Sequence, residues 1–243
     1  MNAINKALVV ILSLVVLAYS GQSCVYNVNA IRGDGNVITI ETPTNDFTAL
    51  QISGMFKVTL VEGTNPGVSI TTDENIQEYV TIETTNGTLR LGMKKGESYD
   101  PTSLEAVITV ATLEEISISG AVSIHCNHTL QAQNLALNLS GAGNMELLVD
   151  AENIKTRVSG AGNVGISGKA AKHDLGISGV ASVDCIELKT NHTTVKISGA
   201  GTANVFADES LNASVSGVGS IRYDGDPTDT QVKTSGAGSI KPI

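Results

Sequence analysis

The chain has 243 residues, of which 25 are glycine and only 3% are aromatic, with no tryptophan at all. Fifteen lysines and arginines against 24 acidic residues leave a net charge of −9, a poor starting point for nucleic-acid binding. With 41% hydrophobic residues the chain is not disordered, and three cysteines do not make a disulfide framework. A core so poor in rings is built from Val, Ile, Leu and Ala, which favours repetitive packing over an irregular enzyme core.

Residues 1–23 read as a signal peptide. Lys6 is the only charge before Arg32, and Ala7 to Ala18 form an apolar run broken only by Ser13. Twelve residues are too few for a bilayer, which takes roughly 20, but they suit the apolar core of a secretory signal. Two processing sites remain open. Ala18-Tyr19-Ser20 would release a soluble chain starting at Gly21. Gly21-Gln22-Ser23-Cys24 is a loose lipobox that would make Cys24 a lipidated N-terminus. One such anchor holds a protein at a membrane surface, not through it. Residues 24–44 then form a lead-in segment. It contains Arg32-Gly33-Asp34, read as a plain turn before a strand over 36–41.

Residues 45–243 form one domain, irregular over 45–115 and regular over 116–243. Strands are expected at 56–61, 68–71, 80–84, 89–93 and 107–111, with turns at Asn65-Pro66-Gly67, Asn86-Gly87 and 96–101. The stretch between Ser53 and Ser119 has room for about three irregular coils. From there a Ser-Gly pair recurs at Ser119-Gly120, Ser140-Gly141, Ser159-Gly160, Ser178-Gly179, Ser198-Gly199, Ser216-Gly217 and Ser235-Gly236, in steps of 18–21 residues, echoing Ser53-Gly54. Apolar residues alternate with period two on both sides of each pair, the strand signature. Glycine supplies the bend there, and its small neighbours let successive bends stack.

Aligned on the serine, the units give clean columns. One residue before it stand Ile52, Ile118, Leu139, Val158, Ile177, Ile197, Val215 and Thr234; five after it stand Val58, Ile124, Met145, Val164, Val183, Ala203, Ile221 and Ile240. The same chemistry at the same offset means the same burial in every turn. That is a solenoid, here a right-handed parallel β-helix whose coils rise about 4.8 Å each. Nine or ten coils would make a rod about 45 Å long. The last unit ends in Lys241-Pro242, residues that blunt an open sheet edge.

The segment from Asp46 to Leu60 (DFTALQISGMFKVTL), the Asn86-Gly87-Thr88-Leu89-Arg90-Leu91 motif and the series of SGAG turns together resemble the auto-transporter adhesin head domain, or GIN domain, common in Bacteroidetes. The resemblance covers about residues 45–225. It implies an exported or lipid-anchored β-helical protein of the cell envelope, with adhesion proposed and no established catalytic residues.

The residues themselves offer no catalytic set. Asp150, Asp174, Asp184, Asp208, Asp224, Asp226 and Asp229 stand at scattered offsets, whereas glycoside hydrolysis needs carboxylates flanking one bond. His125, Cys126 and His128 lie close in sequence, with Cys185 and His192 elsewhere; imidazole and thiolate are good metal ligands. Cys126 and Cys185, however, share a column three coils apart. That is about 14 Å, beyond the roughly 7 Å a disulfide spans, so both are expected as free, buried thiols. The Ser column and the polar column four residues on (Ser123, Asn144, Asn163, Ser182, Thr202, Ser220, Ser239) read as ladders bonding coil to coil, with a binding face as the alternative. The sequons at Asn127 and Asn191 mean little if the source is bacterial.

The expected function is an envelope binding or adhesion module for a surface glycan or protein. It needs no cofactor, no metal and no nucleic-acid partner, and it meets the membrane only through Cys24. The alternatives are a polysaccharide-active enzyme and a structural spacer.

Overall fold

The computed structural model describes residues 30–243; the signal segment and Cys24 lie outside the described residues. In chain order the strands are β1 (Ile31–Arg32), β2 (Val37–Pro43), β3 (Ala49–Ile52), β4 (Lys57–Glu62) and β5 (Gly67–Asp73). A one-turn helix, α1 (Glu74–Gln77), precedes β6 (Val80–Thr85), β7 (Thr88–Met93), β8 (Tyr99–Asp100) and β9 (Leu104–Val110). The regular coil holds β10 (Glu115–Ile118), β11 (Ala121–Leu139), β12 (Ala142–Val158), β13 (Ala161–Ile177), β14 (Val180–Cys185), β15 (Leu188–Ile197) and β16 (Ala200–Phe206). It closes with β17 (Ser210–Val215), β18 (Val218–Asp224), β19 (Asp229–Thr234) and β20 (Ser239–Pro242). Among the described residues no helix is long and apolar enough to cross a membrane.

From Glu115 onward the chain winds a parallel β-solenoid of about seven turns. Each turn has a first side ending at the Ser-Gly corner and a second side following it. In the middle coils a third side (129–132, 148–151, 168–170 and 188–190) closes the turn. The sequence columns stack as the offsets require. Leu50 pairs with Ile116, Ile116 with Leu137, Leu137 with Thr156, Thr156 with Leu175, Leu175 with Val195 and Val195 with Ala213. The inward members of these columns are buried and form one continuous core. Each fully buried Val, Leu or Ile contributes about 1.5–3 kcal/mol of transfer free energy, so a core without large rings is adequate.

The unequal steps have a local cause. In β11, His125 pairs with Glu146 and Thr129 with Leu148, so Cys126, Asn127 and His128 oppose Leu147 alone. This bulge absorbs the two extra residues of the 21-residue unit. In the 20-residue unit three residues between Asp184 and Leu188 oppose two between Gly165 and Gly168.

Residues 45–115 depart from the expected run of irregular coils. They contribute two levels and an antiparallel cap. β3 and β4 form one level, β7 and β9 another, and the order in space is not the order in sequence. β3 lies between β7 and β10, and β4 lies between β9 and β11. Beyond them β5 runs antiparallel to β9, β2 antiparallel to β5, and β6 antiparallel to β7. The cause is the two-residue turn at Asn86-Gly87, where both residues have positive φ (51° and 72°). That turn folds β6 back on β7 as a hairpin, which a parallel coil cannot contain. The lead-in thus joins the cap through β2.

The corner glycines are needed for a reason other than bending. Of the eight, only Gly54 has a positive φ. The other seven stack backbone on backbone. A Cβ on Gly120 would collide with the carbonyl oxygen of Gly54, one on Gly141 with that of Gly120, and so on through Gly160, Gly179, Gly199, Gly217 and Gly236. Close approach is what glycine supplies there. It lets the ladder continue around each bend, with Ser159 N–H donating to Leu139 O at 2.9 Å and Ala161 N–H to Gly141 O at 3.0 Å.

Candidate binding surface

Alternation on each strand turns half the residues outward, so the three sides carry the protein's chemistry on flat sheet surfaces. On the second side the polar column forms rungs. Asn163 Nδ2 donates to Asn144 Oδ1 at 3.0 Å, Thr202 Oγ1 to Ser182 Oγ at 3.2 Å, and the Ser220 and Ser239 hydroxyls lie 3.3 Å apart. The first side has similar rungs, Asn153 to Asn134 at 3.0 Å and Asn138 to Ser117 at 3.1 Å. The corner serines behave differently. Their side chains are exposed, and the hydroxyls of Ser119 and Ser140 donate down to the carbonyls of Ile52 and Ile118 rather than to each other. A corner points successive hydroxyls outward, whereas a flat strand aligns them.

The other residues singled out in the sequence are dispersed. Asp150 is on the third side, paired with Lys169 at 3.1 Å; Asp174 is on the first side, paired with Arg157 at 2.6 Å; Asp184 is on the second side, in register with Gly165. His125 faces outward with its Nδ1 3.5 Å from Glu146, while Cys126 points inward from the bulge with its sulfur 3.4 Å from His128 Nδ1. His192 is on another side, against Ser210 and Glu209. Among the described residues no group of three or more His, Cys, Asp and Glu side chains is placed to hold a metal ion. Cys126 and Cys185 are free and buried, and burial pushes both thiols up from their ordinary range. Arg32-Gly33-Asp34 is built into the cap. Arg32 pairs in β1 with Asp100 of β8, and Asp34 Oδ1 accepts the Asn36 N–H at 3.0 Å.

The coil interior carries a small polar cluster. His173 is buried beside Thr156, with Nε2 and Oγ1 3.1 Å apart. Burial holds its pKa down to about 4, so it is neutral at physiological pH. Thr190 and Thr193 share the carbonyl of Phe206, Thr193 at 2.7 Å.

Sequence reasoning missed one concentration of charge, which the overall balance of −9 conceals. Six of the fifteen cations (Lys155, Arg157, Lys169, Lys172, Lys189 and Lys196) fall within residues 155–196, against three acids, Asp174, Asp184 and Glu187. That stretch is therefore +3 and the remainder −12. Folding puts Lys155, Arg157, Lys172 and Lys196 on the first side at three successive levels, since Lys155 pairs with Asp174 and Gly176 with Lys196. Arg157 lies flat over Gly176, its Nη1 donating to the carbonyls of Thr156 and Asp174 at 3.0 and 2.8 Å. Lys155, Lys172 and Lys196 are exposed and, among the described residues, carry no ion pair. They rim a shallow depression of about 660 Å³ with Asp174, His192 and Thr194 on its floor and walls. A second depression of about 760 Å³ on the next side is acidic, lined by Glu146, Asp184 and Glu187. A window of net charge along the chain was the signal that would have shown the cations.

Comparison with known proteins bears on the same fold. The family described as "Putative auto-transporter adhesin, head GIN domain" matches residues 46–227. A crystal structure described as a putative adhesin from Bacteroides fragilis is 26% identical, with a TM-score of 0.86, covering 88% of this chain and 100% of its own. Another putative adhesin, from Parabacteroides distasonis, is 22% identical with a TM-score of 0.74 and the same coverages. A structure from the same species described as a putative lipid binding protein is 23% identical with a TM-score of 0.64, covering 88% of this chain and 99% of its own. No curated protein matches the chain.

Proposed function

The chain belongs to the auto-transporter adhesin head GIN domain family, and on that footing we propose that it is an exported cell-envelope module that binds a surface macromolecule and catalyses nothing itself. One observation carries the reading. The outward columns stay in register from coil to coil, so each side is a rigid flat surface on which similar groups recur every 4.8 Å or so. Such a surface suits contact over an extended area better than capture of a small substrate. The interior is filled by the stacked apolar columns, which favours binding on the outside over a lipid held within.

The finer parts of the proposal are these. Cys24 is the lipid attachment point, and residues 30–44 connect it to the capped end of the solenoid, which therefore faces the membrane. Mass spectrometry of the mature N-terminus tests this: a lipidated Cys24 is expected, and an unmodified chain starting at Gly21 would remove the anchor. Arrays of bacterial and host-surface glycans and proteins, probed with the purified mature protein, test binding. Retention on a defined subset is expected. No retention on any array would leave a structural spacer, and release of reducing or unsaturated sugar from a polysaccharide panel would revive an enzyme.

A further inference from the structure

We propose that the first side, at the levels of Lys155, Lys172 and Lys196, binds an acidic polysaccharide, one bearing carboxylate or sulfate groups along its chain. The proposal rests on the binding-module reading and names the ligand chemistry for it.

The spacing favours an extended anion over a small one. Lys172 stands one level from Lys155 and two residues aside, because Lys155 pairs with Asp174. Lys196 stands one level further and four residues aside from Lys172, because it pairs with Gly176. With levels about 4.8 Å apart and about 3.3 Å per residue, the Cα separations are about 8, 12 and 14 Å. Bringing all three ammonium groups onto one phosphate or carboxylate would gather their stems together against their mutual repulsion. A partner that engages them together carries several anionic groups at comparable spacing, as a charged polymer does.

The carboxylates around the patch do not cancel it. Asp174 sits at its centre, but Arg157 pairs with it at 2.6 Å, which leaves the three lysines. Glu209, bonded to Asn191 at 2.6 Å, stands two levels from Lys172, about 10 Å away. Glu114, at the lower edge of the depression, and Glu115 beside it lie two levels below Lys155, again about 10 Å away. Close around the three lysines the charge is therefore positive, although the whole protein is −9. At physiological salt, charges beyond about 8 Å are screened, so the local excess decides what docks.

Other polyanions fit less well. The exposed large apolar side chains, such as Val180, Val218, Leu148 and Met55, stand away from the levels of the three lysines, so nothing beside the lysines would insert into a lipid surface. The same lack of apolar anchors disfavours a protein interface, whose affinity concentrates in buried aromatic and aliphatic residues. No aromatic ring lies on the patch to stack a base, as single-stranded nucleic acid requires. What the face offers is a flat floor formed by the Arg157 guanidinium over Gly176, small polar groups (Asn153, Thr194, Ser214), and lysines on flexible stems.

The test uses the purified mature protein. Binding to alginate and dextran sulfate is compared with binding to neutral dextran and to vesicles rich in phosphatidylglycerol. The variant Lys155→Glu/Lys172→Glu/Lys196→Glu is set against Lys95→Glu/Arg222→Glu/Lys241→Glu, which has the same net charge with the changes on other surfaces. Circular dichroism confirms that both fold. The expected result is salt-sensitive binding to the acidic polysaccharides alone, weakened roughly tenfold or more in the first variant and within about twofold of the parent in the second. Equal losses in both variants would reduce the effect to net charge and overturn the proposal. Binding to vesicles with no binding to polysaccharide would overturn it in favour of a membrane. Array hits on a neutral glycan or a protein, unchanged in the first variant, would overturn it while leaving the binding-module reading intact.

Discussion

Replacing Gly160 by alanine adds one methyl group at a corner of the coil, and the structure says what that costs. The new Cβ would run into the carbonyl oxygen of Gly141 one level below. That oxygen accepts the Ala161 N–H at 3.0 Å, and the neighbouring carbonyl of Leu139 accepts the N–H groups of Ser159 at 2.9 Å and Gly160 at 3.3 Å. Relief requires the corner to lift, which weakens all three bonds. At about 1 kcal/mol net for each, the loss is about 3 kcal/mol, at the upper end of what one inserted methyl group does in a packed interior. Gly165→Ala is the control. Its Cβ would meet nothing closer than 3.9 Å, so that variant is expected within about 1 kcal/mol of the parent, on the stabilising side because alanine restricts the unfolded chain. Urea unfolding followed by circular dichroism gives both values. Hydrogen exchange at the 159–161 amides gives a local readout suited to a solenoid, whose coils contact only their neighbours. If Gly160→Ala and Gly165→Ala cost the same, close stacking is not why the corner column is glycine.

Three further outcomes follow from individual side chains. His173 is neutral when folded down to about pH 4 but takes a proton near 6.5 when unfolded, so stability is intact above pH 6.5 and falls as the pH drops toward 4. At 1.4 kcal/mol per pH unit the loss reaches about 3 kcal/mol, and urea titrations of His173→Leu should lack that component; an unchanged pH profile would contradict the burial. Cys126 and Cys185 should both label with a thiol reagent after unfolding and react slowly before it, and a mass consistent with a disulfide between them would disprove the column register. Gly87→Val forces a β-branched residue into φ near 72° and should cost about 1–3 kcal/mol, read as a fall in the urea midpoint.

How much of this was legible in the sequence depended on whether a feature repeats. Ile52, Ile118, Leu139 and their successors declared the core because a common offset from a common serine leaves one register. The odd unit lengths hinted at bulges without locating them, since only pairing distinguishes Cys126-Asn127-His128 as the extra stretch. The cap was misread although its cue was printed in the chain: Asn86-Gly87 between two strand runs is a hairpin signal, and counting residues per coil overrode it. The first-side lysines escaped notice for a different reason. Lys155, Lys172 and Lys196 occupy three different offsets, so no column contains them, and only the stacking of levels makes them neighbours.

The interleaved order of the first levels also constrains how the chain can be wound. β3 and β4 are made before either of their partners, since β7 and β9 arrive some 40 residues later and β10 and β11 later still. The solenoid therefore cannot be reeled in from its N-terminus one coil after another. The earliest strands are a central template that later chain covers on both sides. From β10 onward the order in space follows the order in sequence, each coil stacked on the one before it and away from the capped end.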